Sequence, residues 1–442
     1  MLIAGHMRIN DIGTGYLFES GSPVSSFTAS LYMIYVCSFF LHLAERIPGI
    51  SIIRPDLIIV IAIAVMLFAQ NEKLKGRLNN SIAKILYILI AYIILTLPFV
   101  EWPGSVIKAN ASDFIKSIVF FFFTILTIDT NIRLKRFILL IISCQLFRVL
   151  EPLYLHLVYG YWGSMTYLGD GEFANRLSGA PFDIINPNEL AFVIVTVFTL
   201  IHYLWWGGRW KSKLLYLCVC IPLFTALFLT LSRSGFVALL AVIWNIYLKS
   251  SKKIILIGVV SITALLILGM MNDVQRDRYF SITGAQNTRS YGTFQGRFNA
   301  MEKDFQVALK RPIFGFGLGT SMEAKGNLDS GYQISHILYI EVLIELGIIG
   351  LTIFTVFLCR IYKVTRKCEG LLIKILAKPS TNSVREMYLY ERNLLSSLTT
   401  CFWMFLVFSI AQYGLSRYHW YLLAGLTILL QEKLRCVAEN QA

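Results

Sequence analysis

The 442-residue chain is 56% hydrophobic and only 15% charged, with a mean hydropathy of +0.64. Soluble chains carry about 25% charged residues, so this composition excludes a soluble enzyme and predicts an integral membrane protein. A net charge of +14 would suit nucleic acid, but Lys and Arg sit in short clusters between apolar runs, a pattern of membrane orientation and phosphate contact, and no nucleic-acid partner is expected.

In chain order, residues 1–26 hold Arg8 but no compact apolar stretch with a small-residue cleavage site, so no removable signal peptide is expected. Apolar runs long enough to cross a bilayer lie near 27–44, 82–100, 114–128, 137–158, 188–206, 214–231, 254–271, 336–358 and 394–412. Shorter candidates near 55–70, 235–248 and 420–431 bring the total to about twelve. The fold class expected is all-α: a polytopic, single integral membrane domain over 1–442 with about twelve transmembrane helices.

The basic residues orient it. Lys73, Lys75 and Arg77 follow the second run, Arg133, Lys135 and Arg136 the fourth, Arg209, Lys211 and Lys213 the sixth, and Lys249, Lys252 and Lys253 the eighth. The segment 359–393 adds Lys363, Arg366, Lys367, Lys374, Lys378 and Arg385, a basic cytoplasmic loop. Even-numbered loops are therefore basic, so both termini are expected in the cytoplasm and odd loops outside. The eight cysteines map to spans or the cytoplasmic side, and no disulfide framework or metal-ligand spacing is implied.

Two outward connections are longer than the usual dozen or so residues, 160–187 and 272–335. In the second, Phe298, Met301, Phe305 and Leu309 recur at helical spacing before Pro312, predicting an amphipathic helix on the membrane surface. "FGFGLGTS" follows, with Gly315, Gly317 and Gly319. Alternating glycines suit either a plain turn or a backbone cradle for phosphate, but the spacing is that of neither nucleotide nor dinucleotide loops.

Ionisable residues near the outer boundary are the candidates for chemistry: Arg176, Arg233, Arg297 and His336. Arg233 sits in a turn of a few residues between apolar runs, where a cation is either functional or snorkels to headgroups. His336 has rivals in His42, His156 and His419, but it directly follows the long outer loop, and imidazole exchanges protons near neutral pH. Glu341 and Glu345 share a helix face and must point inward. Proton carriage is one reading, and bonding to interior partners such as Arg148 or Lys116 is the more economical one. Asp170 and Glu172 form a turn that is either a cation site or an ordinary solvated loop.

Taken in order, "RLSGAPFDIINPNELAF", "LTLSRSGF", "GRFNAMEKDF…RPIFGFGLG" and "SHILYIEVLIELGIIGL" resemble the O-antigen ligase and polymerase superfamily of bacterial envelope glycan assembly, from about Arg176 to Leu351. The resemblance implies a multi-pass protein of the bacterial inner membrane with its active site facing the periplasm, and glycosyl transfer there from a glycan on undecaprenyl pyrophosphate. Arg233 and Arg297 would grip the pyrophosphate, with Arg176 as a further substrate contact. His336 would assist the acceptor hydroxyl, and no bound metal or other cofactor would be essential. The acceptor would be a lipid-linked repeat unit in a polymerase or lipid A-core in a ligase, in contact with membrane lipid throughout. Ligases often place Asn, Ser or Gln after the histidine; here Ile337 follows His336 and Ser234 follows Arg233, which favours a polymerase. A transporter or flippase using buried charges such as Lys84, Arg148, Glu341 and Glu345 is the alternative from a different class.

Overall fold

A computed structural model describes residues 23–169, 172–271, 276, 291–328, 335, 337–377, 388–412 and 414–440. Of the described residues, 79% are helical. The main helices are α1 Ser26–Leu41, α2 Pro55–Ala69, α3 Ser81–Thr96, α4 Ala111–Thr127, α5 Asn131–Tyr159, α6 Pro187–Trp206, α7 Trp210–Leu229, α8 Arg233–Lys249, α9 Lys253–Met270, α10 Tyr291–Lys310, α11 Ser321–Asn327, α12 Leu338–Ala377, α13 Leu389–Phe408 and α14 Tyr418–Asn440. Each predicted apolar run coincides with a helix. Among the described residues, six helical stretches are long and apolar enough to cross a membrane: 81–99, 103–127, 131–159, 187–206, 210–229 and 338–377. The chain is a multi-pass, mostly helical membrane protein. α12 continues to Ala377, so the segment 359–393 begins as helix rather than loop.

The hydrophobic effect does little to join helices already surrounded by lipid, so close packing and interhelical hydrogen bonds must hold the bundle. α14 packs against α4 and α12, α6 against α7, α8 and α13, and α1 against α2 and α5. Tyr32, Tyr35, Phe120 and Phe137 are fully buried where α1, α4 and α5 meet, and the Tyr32 hydroxyl is 2.8 Å from Thr124 Oγ1. α9 presents Ile254, Ile255, Ile262 and Leu265 outward, as suits a lipid-facing helix.

Contacts sort the loops into two ends. At one, Asp129 binds Arg77 and Arg133 at 3.1 and 2.6 Å, Arg133 reaches the Val24 carbonyl, Lys249 the Ser396 carbonyl, and Lys433 pairs with Glu391. These are the loops where the sequence gathers Lys and Arg. Lys84 is exposed beside the first turn of α3, so it is not the buried charge that the transporter reading requires.

The opposite end carries more structure than its sequence suggested. Two antiparallel strands, β1 Gly163–Gly169 and β2 Glu172–Leu177, pair here, so the expected long connection 160–187 is partly sheet. Its period of two places Arg176 and Ala174 on the buried face, while Met165, Tyr167 and Phe173 face out. α10 bears out the expected helix, but only one face of it meets the protein. Val307 and Ala308 are buried and Asp304 pairs with Lys325 at 2.5 Å, whereas Phe298, Phe305 and Leu309 stay about half exposed. A helix that docks by one side and leaves an apolar stripe uncovered suits a membrane surface.

α12 breaks at Gly347, where φ is 64° and ψ −169°. The break frees backbone groups at membrane depth, which is tolerated only where protein satisfies them. The Gly315–Gly319 turn does so. Phe316 and Gly317 amides donate to the carbonyls of Ile344 and Glu345 at 2.9 Å each, and the Ile348 amide donates to Pro312 at 2.7 Å. A Cβ on Gly347 would stand 2.1 Å from the Ile313 carbonyl oxygen, and one on Gly315 would stand 2.4 Å from that of Glu345. With those amides engaged, the turn is a brace for the broken helix rather than a phosphate cradle.

Candidate functional site

The carboxylates of α12 are explained by the same backbone. Glu341 accepts from the amides of Gly414 and Leu415 at 2.8 and 3.3 Å. Glu345 is hydrogen-bonded by the Gly319 amide and by Ser321, at the start of α11. The interior partners are therefore backbone and hydroxyl groups near Gly414 and Ser321. Arg148 is bound instead to Asp183, and Lys116 lies at the surface with Asp113. A carboxylate has acceptor capacity for several such donors.

The end opposite the basic loops converges on the first turns of α6 and α8. α6 starts with a capping box: the Asn186 side chain accepts from the Asn188 and Glu189 amides, and Glu189 returns to the Asn186 amide, with Pro187 at the first helical position. α8 follows α7 through a tight turn in which Leu231 is left-handed at φ 49°, and Ser232 caps it by accepting from the Gly235 amide. Arg233 is the first residue of that helix and is 8% exposed.

Arg176 spans both turns. Its Nε donates to the Thr230 carbonyl at 2.8 Å and its guanidinium to Asn188 Oδ1 at 3.0 Å; the Ser232 hydroxyl donates to the same Oδ1 at 2.8 Å. Ser234 Oγ is 3.2 Å from Ser232 Oγ. The strand pair, α6 and α8 thus place Arg176 in one network with the turn that carries Arg233. Two helix N-termini beside two guanidinium groups favour an anion. The backbone of Arg297 lies in α10, but its side chain, like His336, lies outside the described residues. Leu338 donates to the carbonyls of Ser409 and Gln412 at 3.0 and 3.1 Å, and Gln412 donates to Glu189 at 3.2 Å, beside Asn188.

A second charged group braces the same end. Arg148 holds Asp183 through two hydrogen bonds, 2.6 and 2.9 Å, and His42 Nε2 is 3.2 Å from the same carboxylate. Burial would raise the Asp183 carboxyl, but the hydrogen bonds and charges of His42 and Arg148 outweigh it and hold the group below its ordinary value. His156 Nδ1 lies 3.0 Å from the Tyr161 carbonyl. Asp170 and the side chain of Glu172 lie outside the described residues, and among those described no group of three or more His, Cys, Asp or Glu side chains suits a metal ion.

Sequence reasoning had not singled out Asn188, Ser232 or Asp183. A signal for the first existed in "INPNEL", whose Asn-Pro-x-Glu pattern is a helix start. Nothing local marks Asp183 as the partner of an arginine in another helix.

The fold and this end of the bundle define a multi-pass helical membrane protein with a cationic cluster at its mouth. Residues 218–355 match the family model described as O-antigen ligase. That segment is similar to the family that the motifs implied, and it contains Arg233, Arg297 and His336. No curated protein matches the chain.

Proposed function

We propose that the protein is a glycosyltransferase acting at the periplasmic face of the bacterial inner membrane on a saccharide carried by undecaprenyl pyrophosphate, most simply as a surface-polysaccharide polymerase. The observation that carries this reading is the shared network of Arg176, Asn188 and the Ser232–Arg233 turn at two helix N-termini. It lies at the end opposite the basic loops, which is the outer end under the positive-inside rule. About twelve spans with both termini inside are consistent with that arrangement.

In the proposed reaction an acceptor hydroxyl oxygen attacks the anomeric carbon, and the bond from that carbon to the pyrophosphate oxygen breaks with its electron pair leaving on the pyrophosphate. Arg176, Arg233 and Arg297 stabilise the charge that builds there. His336 takes the hydroxyl proton. The acceptor of a polymerase is a second lipid-linked repeat unit. A ligase acting on lipid A-core is the second reading, favoured by the description of the matched family.

The test supplies purified full-length protein with undecaprenyl-pyrophosphate-linked repeat units, with and without lipid A-core. Extension of the repeat units alone, abolished by Arg233→Ala with membrane insertion intact, is the expected result. Transfer only to lipid A-core would replace polymerase by ligase. Undiminished transfer by both Arg233→Ala and His336→Ala would remove the assigned roles.

A further inference from the structure

Of the outer-end histidines that are described, His42 and His156 are held by Asp183 and the Tyr161 carbonyl. His419 differs. Its ring stands among Phe192, Phe405 and Tyr418, with centroids 4.4, 5.9 and 4.0 Å away. It lines a cleft between α6, α13 and α14, and its ring nitrogens have no hydrogen-bond partner among the described residues. Opposite the aromatic wall is a polar group of fixed geometry: Glu189 Oε1 accepts from Arg417 at 2.9 Å and from Gln412 at 3.2 Å.

The lining selects among ligands. An acyl chain would leave the His419 imidazole without water or partner, at a cost of about 1–3 kcal/mol, and would strip water from the Glu189–Gln412–Arg417 group. An anion would meet the Glu189 carboxylate, and the nearest buried cation, Arg148, is already matched by Asp183. A neutral pyranose satisfies both walls. Its hydroxyls donate and accept, as imidazole and carboxamide require, and its C–H face suits aromatic rings. The cleft encloses about 70 Å³, less than the ~300–1,000 Å³ of sites that enclose a whole small ligand, so it takes one edge of the ring and leaves the rest at its open mouth. Glu189 directly follows Asn188, which holds Arg176, so the cleft and the cationic cluster share the first turn of α6.

We propose that this cleft is the acceptor subsite, binding a neutral pyranose unit of the acceptor glycan through His419 and the Glu189–Gln412–Arg417 group. The assignment of the sugar as acceptor rests on the glycosyl-transfer reading; the binding of a pyranose does not. Hydroxyl contact with His419 orients the attacking sugar, while the charge of the leaving group is met at the Arg176–Arg233 cluster.

Full-length protein in a sugar-free zwitterionic detergent is titrated with methyl glycosides of glucose, galactose, mannose, rhamnose, N-acetylglucosamine and N-acetylgalactosamine. The signal is quenching of tryptophan fluorescence, since Trp420 lines the cleft. At least one glycoside is expected to saturate the wild type. His419→Ala should weaken it about tenfold, the loss of a hydrogen bond or two, and His419→Asn should restore most of it. Gln412→Ala should weaken it about threefold and provides the check if His419→Ala fails to fold. No saturating glycoside, equal affinity in His419→Ala and Gln412→Ala, or an acyl chain found in the cleft would each overturn the proposal. Glycoside binding in a protein inactive with every lipid-linked donor would remove the transfer reading and leave the cleft; transfer without glycoside binding would remove the cleft alone.

Discussion

Asn188→Ala cuts the junction between the two turns that hold the cationic residues. The side-chain oxygen accepts from Arg176 at 3.0 Å and from Ser232 at 2.8 Å. A hydrogen bond to a charged group contributes ~1.5–3 kcal/mol and a neutral one ~0.5–1.5. Arg176 keeps its bond to the Thr230 carbonyl, so the expected loss of stability is about 2 kcal/mol rather than the sum. A comparable loss in the transition state, if Arg176 drifts from the leaving pyrophosphate, slows transfer about 30-fold. Asn188→Asp separates bracing from electrostatics. The carboxylate keeps both acceptor contacts and restores the melting temperature, but its charge beside the guanidinium competes with the diphosphate. Transfer should therefore fall tenfold or more in a folded protein. The assay pairs melting temperature in detergent with transfer between lipid-linked repeat units. Wild-type transfer by Asn188→Asp would refute the reasoning, since the cluster would then be a structural brace with no anion to hold.

Gly347→Ala should destabilise severely, because the left-handed φ costs ~1–3 kcal/mol and the new Cβ would lie 2.1 Å from the Ile313 oxygen; a melting temperature within 2 °C of wild type, allowing for roughly 2–4 °C per kcal/mol in a large domain, would contradict the brace. Glu341→Gln keeps one acceptor for the Gly414 amide and should preserve transfer within about threefold, a loss of less than 1 kcal/mol; complete loss in a folded protein would revive the proton-carrier reading. Asp183 is held below its ordinary value, so its contribution is complete above the unfolded pKa of about 3.9 and disappears as pH falls through the lower folded value. The difference in melting temperature between wild type and Asp183→Asn should persist from about pH 7 to 5 and close only below about pH 4; a difference already lost at pH 5 would refute that sign.

Much of the fold was legible because a lipid solvent imposes long apolar runs and the segregation of Lys and Arg, both linear properties of a chain. The amphipathic helix at α10 was legible for the same reason, its stripe recurring every three or four residues. The strand pair was missed although "SMTYLG" opens on alternating polar and apolar residues, because a short strand pair leaves a weak signal inside a loop. The glycines of "FGFGLGTS" were ambiguous in isolation: only the break at Gly347, distant in sequence, shows which carbonyls their neighbouring amides serve.

The sequence by itself determined that the chain is a membrane protein, which end gathers positive charge, and which superfamily its motifs resemble. Only the tertiary structure decided how charges pair: Glu341 with the 414–415 amides, Arg148 with Asp183, Arg176 with Asn188 across the first turns of two helices. Spacing along a helix reports which face a residue occupies, but a hydrogen bond between elements depends on which face packs against which, and that is a property of the whole bundle.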